Sequence, residues 1–329
     1  MNRIKSKTKF SLLNFSLLGI IIFGMLSTAV AASINYQSPL TKGTEELMVN
    51  TYDNTAWKST VDPFSTPIDW FGGDANITEA KSKVTLKGFA SDTWYTYNVI
   101  TSYFLPISLN NYQIVVLLNE TKNQGYDNDT INALFPNSYN FWYGLSAVWE
   151  FTDSNYEEDP SYPEVILVFQ NPLDFKTMLD DYNNLSAEFN GNLTLTFSYP
   201  IINADEFLWY LVLNGLSGLN GLNGLTIASP QTEYLVSLIN GLGCDNASVS
   251  GETLIIERYG VTNYTVEISY GSKGKMSSFV VKDVNGNIIY QIVSINSEWI
   301  FYMILAIAVA ASIGIIVVLF LRSRKIKRA

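Results

Sequence analysis

The amino-acid sequence predicts an α+β domain that is mostly antiparallel β-sheet and is followed by one transmembrane helix. Runs of β type dominate from residue 81 onward, and four of them follow one another between residues 252 and 293. Helix-type runs are inserted before these four, in the middle of the domain. Groups of consecutive strands with helices between them are typical of α+β proteins and not of doubly wound parallel sheets.

The N-terminus has the pattern of a secretory signal peptide. Arg3 and three lysines precede an apolar stretch, and the small residues of Ala29–Ala32 follow it. A basic start, an apolar middle and an A-x-A site are typical of cleaved signals. We therefore expect residues 1–32 to be removed. The alternative is an uncleaved anchor, although serine and asparagine dilute the apolar stretch.

The C-terminus has the pattern of a membrane anchor. The uncharged run 299–321 is long enough to cross a ~30 Å hydrocarbon core, and basic residues fill the tail 322–329. Because positive residues stay on the cytoplasmic side, we expect 33–297 outside, 298–321 in the membrane and the tail inside. Small residues four apart could let a second copy of this helix approach and form a homodimer; they are Ala306, Ala310 and Gly314.

Composition excludes several classes of function. All 30 acidic residues but only 11 of the 20 basic residues lie between Ala32 and Trp299, so this stretch carries a formal charge of −19 and repels nucleic acid. Arg258 is its only arginine, which makes bidentate phosphate clamps improbable. The absence of histidine excludes His-dependent catalysis and His-ligated metals. Cys244 is the single cysteine, so it is either a buried thiol or an intermolecular bridge. We expect no cofactor.

The domain 33–297 divides at residue 80. Residues 33–80 are rich in Thr, Ser, Asn, Asp and Pro, which predicts an irregular segment lying over the rest. Residues 81–297 form the α+β domain. Its early strand-type runs are 84–89, 93–104, 113–119, 140–151, 164–169 and 193–199.

Three helices are predicted in the middle of the domain. Asn171 is a plausible cap for a helix over 172–184, and acidic Asp205 and Glu206 open a helix over 204–213. Ser229–Pro230 opens a third helix that ends near Gly241.

The last part of the domain predicts a four-stranded antiparallel meander. Its runs are ETLIIERY, YTVEISY, KMSSFVVKD and NIIYQIV, and short glycine-containing connections separate them. The last connection contains Asn285–Gly286, and Asn-Gly between two apolar runs is the strongest short hairpin signal.

The segment 214–225 consists of four tandem triplets, NGL SGL NGL NGL. A flexible linker is the plainer interpretation of such a sequence. The alternative is a mobile flap, because leucines are unusual in a solvated linker. Such a flap would touch an apolar ligand, a partner or a membrane through Leu216, Leu219, Leu222 and Leu225.

Aromatic side chains are concentrated in two of the early strand-type runs. Half-buried sheet packing is the usual role of such a face, and a sugar-binding platform is the alternative. The residues concerned are Tyr95, Tyr97, Val99, Thr101 and Tyr103 in the first run, and Phe141, Trp142, Tyr143 and Trp149 in the second.

Carboxylates suggest two further sites. The acidic stretch Asp153, Glu157, Glu158 and Asp159 could bind Ca²⁺, although a solvated charge run is the plainer interpretation and the spacing is not that of an EF-hand. Glu150 and Asp153 could pair as glycosidase carboxylates. In contrast, Asp283, Asn285 and Asn287 fit a hairpin turn.

Sequons for N-glycosylation occur throughout the domain and are acceptors if the cell has the machinery. The asparagines are Asn76, Asn119, Asn128, Asn184, Asn192, Asn246 and Asn263.

Two resemblances follow from these patterns. The acidic, Asn/Tyr/Ile-rich domain between a signal and a basic-tailed anchor resembles the single-pass type I surface proteins common in archaea; this resemblance covers mainly the two ends and implies no catalytic residues. The run YGSKGKMSSFVVKDVNGNIIYQ within 252–293 is similar to the curved antiparallel sheets of LolA-like lipoprotein carriers, although a transmembrane anchor departs from that family.

The expected function is a non-enzymatic surface module that binds a protein partner, a glycan or an envelope component. The alternative is a binder or carrier of an apolar ligand such as a lipid, with 214–225 as its flap. A carboxylate-based glycoside hydrolase is the third hypothesis.

Overall fold

The computed structural model describes residues 34–95, 137–156, 164–191, 200–214 and 224–295. Contacts divide the chain into two units, Met1–Asn35 and Tyr36–Ala329, and every helix and strand below belongs to the second. The predicted runs 113–119 and 193–199, the signal 1–32, the anchor 298–321 with Ala306, Ala310 and Gly314, and the tail 322–329 lie outside the described residues. Within the described part, no helix is both long and apolar enough to span a membrane.

A single antiparallel sheet of nine strands curls into a half-barrel and organises this unit. Its strand order is β4-β3-β2-β1-β9-β8-β7-β6-β5. The strands are β1 (Gly43–Tyr52), β2 (Lys81–Tyr95), β3 (Ser138–Thr152), β4 (Glu164–Phe169), β5 (Ala247–Ser250), β6 (Thr253–Tyr259), β7 (Asn263–Tyr270), β8 (Met276–Asp283) and β9 (Ile288–Ser294). The mostly antiparallel α+β class is therefore confirmed.

The meander is confirmed as strands β6 to β9, and the short strand β5 extends it by one hairpin. In the β8–β9 turn, Asp283 accepts hydrogen bonds from the backbone N–H groups of Asn285 and Asn287, each at 2.8 Å. The Asn287 side-chain amide donates to the other carboxylate oxygen of Asp283. These bonds hold the pKa of Asp283 below its usual value and confirm that the three residues form a turn.

The expectation of an irregular segment over 33–80 is wrong for its central part. Strand β1 lies inside the sheet, where it pairs with β2 on one side and β9 on the other. Leu47 and Val49 are buried and alternate with more exposed neighbours, which is the pattern of a half-buried strand. Asp53 then caps helix α1 (Asn54–Thr60) by accepting from Ala56 N–H at 2.9 Å, and the short helix α2 (Ile68–Phe71) follows.

The early strands are longer than expected. The predicted runs 84–89 and 93–104 begin within one continuous strand, β2, because bulges let it follow β3 without a break. The predicted runs 140–151 and 164–169 correspond to β3 and β4.

The three helices of the middle region are confirmed. They are α3 (Asp174–Gly191), α4 (Ala204–Asn214) and α5 (Gln231–Leu242). Asn171 accepts from Leu173 N–H just before α3, and Gly243 adopts a left-handed conformation that ends α5. Their apolar faces, including Phe175, Leu211 and Leu238, pack into the same core as the sheet.

Two buried tyrosine hydroxyl groups in the core donate hydrogen bonds to backbone carbonyl groups. Tyr290 donates to Ala75 C=O at 2.8 Å, and Tyr234 donates to Phe169 C=O at 2.9 Å. Because a buried hydroxyl without a partner is costly, these bonds fix how the 72–80 connection and α5 meet the sheet.

Candidate functional site

A polar cleft of about 300 Å³ opens at one end of the meander, where the β6–β7 and β8–β9 turns lie. Residues near these turns and just before β5 line it. They are Asn246, Glu257, Arg258, Tyr259, Asn263, Tyr264, Thr265 and Val284.

The β6–β7 turn that borders the cleft is fixed against helix α1. Val261 N–H donates to Val61 C=O at 3.3 Å, and Thr262 N–H donates to Thr60 C=O at 3.1 Å. A Cβ atom on Gly260 would lie 2.1 Å from Val61 O, so only glycine permits this close approach. The turn is therefore held by backbone contacts, and the cleft has a fixed edge.

The other side of the cleft is held by an aspartate on α4. Asp205 accepts from the backbone N–H of Asn246 at 3.1 Å and from its side-chain amide at 3.3 Å. The neighbouring Cys244 thiol donates to Ala204 C=O, and burial, together with Asp205 and Asp245, raises its pKa to about 12. Cys244 is therefore a protonated, half-buried thiol, a state that is slow to form disulfides.

Arg258 belongs to a strand that lines the cleft, but its side chain lies on the opposite, helix-covered face of β6, on the same side as Tyr264. Its guanidinium carbon lies 4.3 Å from the centre of the Trp209 ring, on α4. Its Nε atom is buried and has no acceptor, and no ion pair of this guanidinium occurs among the residues that the structure describes. A buried donor without a partner carries a desolvation cost. The stacking on tryptophan offsets part of that cost.

A series of aromatic ring contacts connects Trp209, under this arginine, to the core. Trp209 packs edge-on against Trp70 at 5.1 Å between ring centres, and Trp70 lies 4.6 Å from Trp57. Trp57 is fully buried against Tyr290. Because these ring contacts extend into the core, they fix the position of Trp209. The fold therefore sets the plane of the Arg258 guanidinium that stacks on it.

Exposed apolar side chains surround the mouth of the cleft. Tyr259 is 77% exposed and Val284 is 68% exposed. Such residues at the rim offer contact area to a ligand without contributing to the core.

A second, small cavity lies beside β1 and β8, at the end of the sheet opposite the cleft. Its volume is about 20 Å³, and Glu45 and Lys275 line it together with apolar residues of β1, β2 and β4. Burial raises the pKa of Glu45 and lowers the pKa of Lys275, and in each case the charge of the other residue opposes the shift. Such a volume is sufficient for about one water molecule.

The end of the triplet segment packs against this second cavity. Leu225 is only 3% exposed and belongs to the core, and the backbone of Ile227 bonds with Gly274 in the β7–β8 turn. A Cβ atom on Gly274 would lie 1.9 Å from Ile227 O, which explains glycine there. The other triplet leucines, Leu216, Leu219 and Leu222, lie outside the described residues.

The aromatic residues for which a sugar-binding platform is the alternative are mostly packed against the core where they are described. Phe141 is fully buried and stacks on Phe169 at 4.4 Å. Trp142 and Tyr143 are partly buried against the core, and the Trp149 ring lies under Lys83 Nζ at 4.2 Å. Side chains of Tyr95, Tyr97, Val99, Thr101 and Tyr103 lie outside the described part.

The predicted carboxylate sites gain no support from geometry. Asp153 and Glu150 are exposed at the end of β3, and Asp153 N–H donates to Asp74 at 3.1 Å. No cluster of three or more acidic, His or Cys side chains that could hold a metal occurs in the part that the structure describes. Glu157, Glu158 and Asp159 are not within that part.

Two of the predicted sequon asparagines, Asn246 and Asn263, line the cleft. Asn184 is exposed on α3 and Asn76 is half-exposed. Asn119, Asn128 and Asn192 lie outside the described residues.

No family model, curated protein or solved structure matches this chain. The sequence singled out Arg258 as the domain's lone arginine, but nothing in the sequence placed it over Trp209.

Proposed function

We propose that this protein is a single-pass surface protein whose acidic domain is a non-enzymatic binding module, and that the polar cleft is its binding site. The observation that carries the proposal is an open, ligand-sized cleft of about 300 Å³ whose lining combines polar residues with the exposed Tyr259 and Val284. A few polar groups placed in a concave site are what a binding pocket requires.

The position of the cleft fits a surface role. Strand β9 begins at Ile288, beside the turn that borders the cleft, and ends at Ser294. At about 3.3 Å per residue, its two ends are roughly 20 Å apart. The chain therefore leaves the sheet toward the sequence-predicted anchor 298–321 at the end opposite the cleft, and an anchored domain would present the cleft away from the bilayer.

The apolar-carrier alternative finds less support. The inner side of the half-barrel is filled by the buried faces of α3, α4 and α5 and by Leu225. The cavity beside Leu225 has a volume of only about 20 Å³, which is too small for a lipid chain. The glycosidase alternative lacks a buried carboxylic acid at Glu150 or Asp153.

The binding role can be tested with the full-length protein inserted in liposomes. The measurement is the retention of these liposomes on envelope material from the cells that make the protein. Thr265→Trp should fill the cleft and abolish retention on this material, since Thr265 is a half-exposed lining residue. Ser269→Trp is the matched control, because Ser269 lies on the same face of β7 but outside the cleft. Thr265 also completes the Asn263 sequon, so all forms are produced in a host without N-glycosylation. Retention of a folded Thr265→Trp protein at the wild-type level would refute the proposal.

The topology has its own test. Protease added to intact cells should digest 33–297 and spare the tail 322–329. Protection of the domain would contradict the surface location.

A further inference from the structure

Four side chains of the cleft lie together on the outer face of β6 and β7, which is the face opposite the helix-covered one. Residues of both strands alternate between buried positions on the helix-covered face and more exposed positions on this outer face. The outer-face residues that line the cleft are Glu257 and Tyr259 of β6 and Asn263 and Thr265 of β7. Arg258 contributes no side chain to this face, so a ligand of the cleft is recognised by the other four.

The strand pairing places these four side chains at the corners of a rectangle. Tyr259 lies opposite Asn263, and Glu257 lies opposite Thr265. Opposite residues of an antiparallel pair have Cβ atoms about 5 Å apart, and every second residue along a strand is about 7 Å away. The rectangle matches the size of one six-membered ring with its substituents, so a single such ligand can contact all four side chains.

Glu257 brings a carboxylate without a cationic partner to this rectangle. It is exposed and forms no ion pair with the residues that the structure describes. Lys282 lies opposite Thr265 in the strand pairing, but Glu267 binds its ammonium group at 2.6 and 2.7 Å. The strongly acidic domain also disfavours anionic ligands and favours cationic ones. A positively charged group is therefore the best match for Glu257.

The other three corners are neutral and suit a sugar ring. Asn263 brings an amide that both donates and accepts hydrogen bonds, and Thr265 brings a hydroxyl group. The ring of Tyr259 is 77% exposed and can stack on a flat apolar face. In contrast, the side-chain amide of Asn246 donates to Asp205 and is turned away from such a ligand. An amide, a hydroxyl group and an exposed ring match the hydroxyl groups and the C–H face of a saccharide.

We propose that the cleft binds a saccharide that carries a free amino group. The ammonium group lies on Glu257, hydroxyl groups lie on Asn263 and Thr265, and the apolar face of the sugar ring stacks on Tyr259. This inference rests on the proposed binding function of the cleft. A neutral sugar lacks the charge and a simple amine lacks the hydroxyl groups, so only an amino sugar uses all four side chains.

The test uses the full-length protein in a detergent without a sugar headgroup. The protein is made in a host without N-glycosylation, because Asn263 and Thr265 belong to one sequon. The three probes are the glucosamine disaccharide that corresponds to cellobiose, cellobiose itself, and cyclohexylamine, which has an amino group on an apolar ring. Calorimetry at slightly acidic pH, where amino groups are protonated, measures binding at low and high salt.

The glucosamine disaccharide should bind at least about tenfold more tightly than either other probe, because only it combines a charge-assisted hydrogen bond with hydroxyl contacts. Salt should weaken the binding of both amines and leave cellobiose unchanged.

Variants separate the contribution of Glu257 from the general charge of the domain. Glu257→Gln should reduce the affinity for the glucosamine disaccharide to about that for cellobiose. Glu252→Gln is the matched control, since Glu252 is an exposed carboxylate just before β6 and outside the cleft, and it should leave binding unchanged. Tyr259→Ser should weaken both disaccharides by a similar factor, because stacking on the ring does not depend on the amino group.

Equal affinity for the glucosamine disaccharide and cellobiose would overturn the inference, as would a Glu257→Gln protein that binds like the wild type. Absence of disaccharide binding at millimolar concentration would do the same. Cyclohexylamine that binds as tightly as the glucosamine disaccharide, or a loss in Glu252→Gln as large as that in Glu257→Gln, would also refute an amino-sugar site. In each case, envelope retention that still depends on Thr265 and not on Ser269 would leave the binding function standing and refute only the ligand class.

Discussion

Two cations at opposite ends of the sheet have different surroundings. Lys275 lines the small cavity together with Glu45, and the charge of each residue opposes the pKa shift of the other. Arg258 stacks on Trp209 on the helix-covered face of β6 and has no carboxylate partner among the described residues. A carboxylate of the same chain is therefore the main electrostatic neighbour of Lys275, whereas an aromatic ring is the main neighbour of Arg258.

The largest expected effect concerns Leu225, which packs into the core beside the small cavity. Leu225→Ser should lower the free energy of unfolding by about 3–5 kcal/mol, because it opens a hole in the core and buries a hydroxyl. Leu145→Ser is the control, since Leu145 is 43% exposed, and it should cost under about 1 kcal/mol. Urea unfolding of the full-length protein in detergent measures both. Equal losses would mean that Leu225 is not a core residue in solution, and the flap hypothesis would regain its basis.

The second-largest expected effect tests whether Lys275 compensates the charge of Glu45. Lys275→Met leaves buried Glu45 with only the weaker attraction of Lys273, and should cost about 2–3 kcal/mol at pH 7. The pKa of Glu45 is raised in the folded state, so the stability contribution of this group is present at low pH and is lost as pH rises through the folded pKa. The deficit of the variant should therefore shrink on acidification.

The double variant Glu45→Gln, Lys275→Met should recover most of this stability at pH 7, because no charge is then left alone. A double variant as unstable as Lys275→Met would show that the two charges do not compensate each other.

Arg258→Gln should change the unfolding free energy by less than about 1 kcal/mol. It loses a cation–π contact but also removes a buried donor without an acceptor, and these effects oppose each other. The same unfolding experiment compares it with Lys275→Met. A loss as large as that of Lys275→Met would show that the fold depends on both cations equally and would remove the contrast between them.

The sequence predicted the parts of the fold that depend on neighbours in the chain. The β8–β9 turn follows from Asn285–Gly286, and α4 begins at its acidic first turn. The sequence did not predict strand β1. Its two buried residues, Leu47 and Val49, give too short an alternation to indicate a strand, and it forms a strand because it pairs with residues far along the chain. The same holds for the cleft: the sequence shows Asn246 and Asn263 only as sequons, because the pairing of β5, β6 and β7 brings them to one cleft.

The smallest expected effect separates pH-dependent charge compensation at the small cavity from a titration elsewhere. Burial raises the pKa of Asp174, at the start of α3, from 3.8 to about 6, and the amide of Asn171 opposes this shift. Because the folded pKa is raised, the contribution of Asp174 to stability is complete below pH 3.8 and is lost as pH rises through about 6. Asp174→Asn removes that loss, so the variant should be more stable than wild type at pH 7, by less than about 1 kcal/mol for a side chain that solvent partly screens. Asp180→Asn is the matched control on the same helix; it breaks the exposed contact with Lys176 and should cost about 0.3–0.5 kcal/mol. Thermal unfolding of the three proteins between pH 4 and pH 8 measures the opposite signs. If Asp174→Asn instead destabilises the protein at pH 7, the start of α3 stabilises the carboxylate as an anion, and Asp174 then makes no such contribution to the pH dependence against which Lys275→Met is compared.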